Sequence, residues 1–226
     1  MANDGTVATW HTNPGGDDGM GEAHTPVWRR MIEVSGLGDL SNSDVLDFGC
    51  NQGGFLRLLH ATHRFRSGVG IDIARDSVAR AEALKGDRPL SYHVGSQVAP
   101  LGRRFDLAFS HEVLYLLPDL AAHARDMAEA LRPGASYIAA MGCHRDMPLW
   151  PRWRELIASM STVKVQDHSL EDVAVAFADA GFGVAARSLQ LEGFLPVSLG
   201  NRHYPRIIDL IRYYTIDKVL FRFTRG

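Results

Sequence analysis

The chain has 226 residues and a formal net charge of -2; 46% of its residues are hydrophobic and 22% charged. That suits one large domain or a domain with a small cap, and it excludes charge steering toward nucleic acid or an anionic membrane. Cys50 and Cys143 lack CxxC spacing and read as free thiols, the opening residues are polar, and no apolar run approaches the roughly 18 residues of a membrane span, so a cytoplasmic protein is expected.

Residues 1–22 are rich in glycine and polar side chains, the pattern of a flexible N-terminal segment. Trp10 and His11 stand out there, and the segment either packs locally or closes over a ligand as a lid. Thr25 suits a helix cap and Pro26 a first turn, with Trp28, Met31 and Ile32 on the inner face and Gly36 or Gly38 at the end. A buried strand over 45–48 runs into a glycine turn, and Phe55, Leu58 and Leu59 then take the i, i+3, i+4 spacing of a helix reaching about Thr62. Next come a strand over 67–73, a helix over 76–84, and strands over 90–94 and 104–110. A helix over 120–131 is stopped by Arg132-Pro133-Gly134, and a strand over 136–141 follows. Residues 147–165 interrupt this alternation: Trp150, Trp153, Leu156, Ile157 and Met160 fit one helical face, either ordinary core or a substrate cap. Ser169 and Asp172 form a capping sequence for a helix to Ala180. A strand over 184–191, a loop over 193–203, a helix over 205–214 with Ile207, Ile208, Ile211 and Tyr214 inward, and a strand over 217–224 complete the chain. Strands alternating with helices predict an α/β domain with a mostly parallel sheet.

The most informative stretch is the turn from Gly49 to Gly54. A strand, a glycine turn and a helix in succession make a ligand cradle, because glycine lets the backbone come close and the first helical amides point at the ligand. The spacing Gly49-x-Asn51-x-x-Gly54 almost fits a dinucleotide fingerprint, but Asn51 stands where backbone must meet pyrophosphate. Asp47, two residues earlier, suits a cationic ligand and repels a pyrophosphate. Asp72 ends the second strand, 25 residues after Asp47, where a carboxylate can accept two ribose hydroxyls.

On these residues the chain resembles the class I S-adenosylmethionine-dependent methyltransferases. Their first motif, an acidic residue, any residue, then Gly-x-Gly-x-Gly, stands here as Asp47-Phe48-Gly49-Cys50-Asn51-Gln52-Gly53, with Asn51 replacing the second glycine. Asp72 looks like the second motif, with Ile73 as a shelf for adenine. Gly95-Ser96-Gln97 falls where the family contacts the adenine, and Ser96 or Gln97 would serve there. Ser110-His111-Glu112 and the following Leu117-Pro118-Asp119 resemble the fourth motif, and Leu131-Arg132-Pro133-Gly134 before a strand is a further signature. The tetrad of nucleobase amino-methyltransferases is absent. The resemblance is good over residues 40–142 and weaker over the last two strands, which are similar to the family's antiparallel hairpin. It implies a Rossmann-like seven-stranded sheet in the order 3-2-1-4-5-7-6, with helices on both faces. It also implies a single domain over 23–226 with 147–165 as a helical cap, and a flexible segment or lid over 1–22.

The implied activity is methyl transfer from S-adenosyl-L-methionine to an oxygen or nitrogen of a small molecule, in a monomer or homodimer. Cofactor contacts are expected from Asp47, Gly49, Cys50, Asn51, Gly53, Asp72, Ile73, Ser96, Gln97, Ser110 and His111. His111, His144 and Tyr115 are the candidate bases, with simple packing of His111 against the cofactor as the alternative. No metal ligand set is apparent, since the ten histidines lack metal spacing. An NAD-dependent oxidoreductase, a non-catalytic S-adenosylmethionine-binding protein, and a methyltransferase for RNA or protein are the rival readings.

Overall fold

The computed structural model describes residues 5–13, 15 and 19–226. Strands β1 (Asp44–Phe48), β2 (Ser67–Asp72), β3 (Leu90–Val94), β4 (Phe105–His111), β5 (Leu131–Met141), β6 (Phe182–Ser188) and β7 (Val219–Arg225) form one sheet. Its order is β3-β2-β1-β4-β5-β7-β6, as expected. β1 to β5 are parallel, and β7 runs antiparallel between β5 and β6.

Two apolar layers cover the sheet. Helices α1 (Met20–Val34), α2 (Gly54–Thr62) and α3 (Arg75–Leu84) bury Met31, Leu56, Leu59 and Ala81 against Val45, Leu107 and Phe109 on one face. Helices α4 (Leu120–Ala130), α5 (Trp150–Met160) and α6 (Leu170–Asp179) bury Met127, Trp153 and Phe177 against Leu46, Ala108 and Tyr137 on the other. The inner strands are therefore buried on both sides, which accounts for their continuous apolar runs. The direction of chain travel reverses between β1 and β4, the neighbours at the centre of the sheet. Among the described residues no helix is long and apolar enough to cross a membrane.

Four boundaries differ from the sequence reading. α1 starts at Met20, so Pro26 lies inside it, and the Thr25 hydroxyl donates to the Gly21 carbonyl at 2.7 Å instead of capping. β5 begins at Leu131, and Arg132-Pro133-Gly134 is absorbed as an irregularity: Phe105 pairs with Leu131, but Leu107 already pairs with Ser136. Arg132 is held there by Asp106 at 2.8 Å and Asp44 at 3.3 Å. β6 ends at Ser188, since Gln190 turns left-handed with φ 49°. The late helix α7 (Ile207–Arg212) points differently from expectation: Asp209 and Leu210 are buried, while Ile207, Ile208 and Ile211 are exposed. Arg206 and Asp209 close a reciprocal cap, and a π-helical turn over Tyr213–Asp217 carries Tyr213 inward instead. The capping box at Ser169 and Asp172 forms as expected.

Candidate functional site

The carboxyl ends of β1 and β2 build the first half of the site almost wholly from backbone. The amides of Gly49 and Cys50 donate to the Ile71 carbonyl at 2.8 and 3.0 Å, which stitches the turn to β2. Gly49 and Gly53 are left-handed, with φ 75° and 70°. A Cβ on Gly49 would lie 2.3 Å from Val113, and one on Gly53 would lie 2.4 Å from the Tyr92 hydroxyl. Asn51 holds φ 45°, which asparagine tolerates. Its side-chain oxygen turns back to accept from the Gln52 amide at 2.6 Å, and its own amide donates to Asp72 Oδ2 at 2.8 Å. Asparagine thus keeps the turn and ties it to the end of β2.

Asp47 is 4% exposed, and its Oδ2 is buried without a hydrogen-bond partner. Burial pushes its carboxyl up to about 8, and the neighbouring Asp72 adds to the effect. A buried carboxylate oxygen with no donor is costly, and a cationic group is what would relieve it. Asp72 Oδ1 accepts from the Ala74 amide at 2.9 Å. Gly95 donates to the Asp72 carbonyl at 2.9 Å, which sets exposed Ser96 and Gln97 beside the end of β2. Ile73 is part-buried next to them. The Cys50 side chain packs on Gly70, and its thiol donates weakly to the Asn51 carbonyl at 3.6 Å. Ser110 points to the opposite face of the sheet, where its hydroxyl accepts from Tyr137 at 2.6 Å.

The carboxyl ends of β4, β5 and β7 build the second half from side chains. The Trp28 indole donates to His111 Nδ1 at 3.1 Å. Since indole only donates, the neutral ring carries its proton on Nε2, which is buried without a partner. Burial, then Lys218 and His24, hold His111 well below the usual histidine range, so the ring stands as a hydrogen-bond donor. His24 packs edge-on against it at 4.7 Å and is lowered to about 4 by burial and Lys218. Glu112 is left-handed with φ 56°. Its Oε1 accepts from the Gly142 amide at 3.0 Å, the Tyr213 hydroxyl at 3.1 Å and the buried Lys218 ammonium. Burial would raise the Glu112 carboxyl, but Lys218, the Gly142 amide and the Cys143 thiol together hold the group below its ordinary value.

Tyr115 is buried in the same neighbourhood, its hydroxyl pushed well up by burial, Cys143 and Glu112. His144 Nε2 donates to the Asp217 carbonyl at 2.7 Å, leaving its buried Nδ1 as the acceptor nitrogen, 3.6 Å from Asp146. His111 and Tyr115 therefore share the Glu112 cluster, whereas His144 is anchored to the turn before β7. The sequence reading missed Glu112, Lys218 and Tyr213. A glutamate directly after a strand-end histidine was a visible signal; the partners lie about a hundred residues away in sequence and carried none.

A cleft of about 600 Å³ opens beside this half, between α1 and the 191–207 loop, lined by Val27, Leu195, Leu210, Tyr204 and Tyr214 together with the charged Arg29, Arg30, Glu33 and Glu192. Tyr204 and Tyr214 pack on Tyr213 at 5.4 and 4.9 Å, so the cleft backs onto the Glu112 cluster. Trp153 tilts against Tyr213 at 4.7 Å from the α5 side. The N-terminal segment crosses between the two halves. Val7 pairs with Ala74 beside β2, while Trp10 and Thr12 exchange backbone bonds with Thr162 and Met160 after α5, each at 2.7 Å. Residues 1–4, 14 and 16–18 of the expected lid lie outside the described residues. Among the described residues no group of three or more His, Cys, Asp or Glu could hold a metal ion.

A family model described as a methyltransferase domain matches residues 25–186. Tocopherol O-methyltransferase of Arabidopsis thaliana, a chloroplastic protein, is 27% identical over 141 residues, 58% of this chain and 40% of its own length. The chain thus spans well under half of that relative. A Haloferax volcanii protein solved in complex with a methyltransferase activator superposes with a TM-score of 0.78 at 22% identity, over 94% of each chain. Geranyl diphosphate C-methyltransferase of Streptomyces coelicolor, solved with S-adenosyl-L-homocysteine, superposes with a TM-score of 0.67 at 15% identity, over 100% of this chain and 94% of its own.

Proposed function

The chain belongs to the class I S-adenosylmethionine-dependent methyltransferases, and we propose that it methylates an oxygen or nitrogen of a small molecule with an apolar body. The observation that carries the acceptor class is the cleft whose apolar wall of Val27, Leu195, Leu210, Tyr204 and Tyr214 backs onto the Glu112 cluster. The similarity to a tocopherol O-methyltransferase supports an apolar acceptor, and the net charge of -2 offers nothing to a nucleic acid.

When bound, S-adenosylmethionine supplies a methyl group activated by a sulfonium. Asp47 receives the cationic end of the cofactor, which fits its orphaned Oδ2. Gly49, Cys50, Asn51 and Gly53 would offer backbone, Asp72 would hold the ribose, and Ile73, Ser96 and Gln97 would border the adenine. His111 orients a ligand oxygen through Nε2–H. Its Nδ1 is taken by Trp28, so in this reading it is a donor and not the base. Ser110 supports the site through Tyr137 and gives the cofactor no side chain. Aligning acceptor and methyl is worth up to about 7–11 kcal/mol, so most of the task is positional. Residues 23–226 form the catalytic domain, α5 contributes a wall of the acceptor side, and the segment from Thr6 to Thr12 acts as a strap over the cofactor edge. The two buried free thiols suit a reducing, cytoplasmic setting.

Calorimetric titration with S-adenosylhomocysteine and, separately, with NADH tests the reading. Saturable binding of the former alone is expected, and binding of NADH alone would sink it. Asp72→Ala should weaken S-adenosylhomocysteine by roughly 1.5–3 kcal/mol, the range for hydrogen bonds to a charged group. Unchanged affinity would remove Asp72 from the ribose.

A further inference from the structure

Glu112 has one oxygen fully employed and one with at most a weak thiol beside it. Oε1 takes three donors, from Gly142, Tyr213 and Lys218. Oε2 is buried and has no hydrogen-bond partner, and the weak thiol donor of Cys143 is its neighbour. Native proteins rarely leave such an oxygen unsatisfied, and those that do commonly reserve it for a ligand. The residue also sits at φ 56°, a conformation a side-chain-bearing residue avoids unless its surroundings enforce it.

Its position is as telling as its bonding. Glu112 follows the end of β4, and the next residue, Val113, packs so closely on the glycine turn that no Cβ fits on Gly49. The preceding residue, His111, presents a buried, unpartnered Nε2–H. An orphan acceptor and an orphan donor thus stand on consecutive residues between the cofactor cradle and Tyr213, on which the Tyr204 and Tyr214 wall of the cleft packs. Lys218 is buried, with its ammonium also 3.2 Å from the Tyr213 hydroxyl. It has no evident task other than to keep this carboxylate ionised and still.

We propose that Glu112 Oε2 is the acceptor-binding base: it accepts the hydrogen bond of the acceptor's O–H or N–H and, from an O–H, then receives that proton. The inference rests on the methyl-transfer reading above. The acceptor's lone pair forms the new bond to the methyl carbon, and the carbon–sulfur bond breaks with its electron pair left on sulfur. The proton passes from the acceptor's oxygen to Oε2 and leaves to solvent after the product does. For an oxygen acceptor a carboxylate is base enough, because an alkylated hydroxyl is a far stronger acid than the carboxylic acid it creates; an aliphatic amine would use Oε2 only as a hydrogen-bond acceptor and give its proton to solvent. Lys218 and Tyr213 are positioning residues, acting through Oε1.

The test uses the full chain with Glu112→Gln, and with Glu112→Gln/Lys218→Met, which keeps the buried site neutral if the single variant unfolds. Naphthol and naphthalene are first titrated into the S-adenosylhomocysteine complex. The unmodified protein should prefer naphthol by about 10–100-fold, the worth of a hydrogen bond to a charged group. Both variants should lose that preference while binding S-adenosylhomocysteine unchanged. A set of apolar phenols, alcohols and amines is then screened with S-adenosylmethionine. On the best acceptor, kcat of the variants should fall about 10²–10⁴-fold, as for loss of a general base. Variants that keep kcat and the naphthol preference overturn the role of Glu112 and leave the methyltransferase reading intact. An unmodified protein that binds S-adenosylhomocysteine but methylates nothing in the set overturns the small-molecule reading, and this inference with it.

Discussion

The two halves of the site are built by opposite means. At the β1–β2 edge, nearby stretches of chain shape the cradle through backbone: two left-handed glycines, one left-handed asparagine and amides tied to Ile71 and Asp72. At the β4–β5–β7 edge, side chains do the shaping, and Glu112 meets Lys218 and Tyr213 from the far end of the sequence. A backbone cradle suits a ligand shared by many enzymes. A side-chain cluster suits a ligand that differs from one enzyme to the next, because it changes without disturbing the turn.

The strongest way to expose the first half is through pH. Asp47 is raised from 3.8 to about 8 in the fold by burial and Asp72. Between those values the native state keeps a proton that the unfolded chain has lost. The stability that Asp47 itself contributes, read as the difference from Asp47→Asn, should be full below pH 4, fall by up to about 1.4 kcal/mol for each pH unit across the window, and be gone above 8. Urea unfolding across pH 4–8 measures this, and Asp47→Asn should flatten the slope. Gly53→Ala comes next. It forces a left-handed alanine whose Cβ meets Tyr92 at 2.4 Å, so a loss of roughly 2–4 kcal/mol in stability is expected. S-adenosylhomocysteine affinity, read by calorimetry, should fall with it.

Gly142→Ala is the matching change on the other edge. Its Cβ would lie 2.3 Å from the Tyr213 hydroxyl, with no left-handed backbone to strain. About 1–3 kcal/mol of stability should go, yet S-adenosylhomocysteine should bind as before while methyl transfer drops. Equal damage to both functions would dissolve the distinction between the edges. Ser169→Ala is the smallest change, removing one side of the cap on α6. It should cost about 1 kcal/mol in urea unfolding and leave both ligands' binding untouched.

This contrast also explains what could be read from the sequence. The strand order and the glycine turn were legible because they rest on local signals: alternating strands and helices, Gly49 and Gly53, and acidic residues at the ends of β1 and β2. Asn51 looked like a defect and is a working substitute, since its amide reaches Asp72. The acceptor edge was not legible in the same way. His111 was found by position, but its partner Trp28 on α1 fixes which nitrogen holds the proton, and no spacing rule connects residues 83 apart. Nothing in the sequence marks Lys218, which stands near the start of the strand over 217–224. Only the sheet, by inserting β7 beside β5, brings it under Glu112. The face of α7 was misjudged because three isoleucines suggested an inner stripe, whereas the reciprocal cap between Arg206 and Asp209 and the turn after it set the rotation.

The reversal of chain travel between β1 and β4 has a consequence for how such a molecule can change. From β1 the chain leaves toward β2, and from β4 it leaves toward β5, each departing near a left-handed residue that is not glycine, Asn51 or Glu112. The crevice is opened by two paths parting company, and its floor is set by the backbone turns there, not by the side chains of the rim. Mutation can enlarge, shrink or repolarise the rim contributed by α1 and the 191–207 loop, and the parting of the paths beneath survives. A lineage holding this sheet can exchange one acceptor for another without ever passing through a form that has lost its hold on the cofactor.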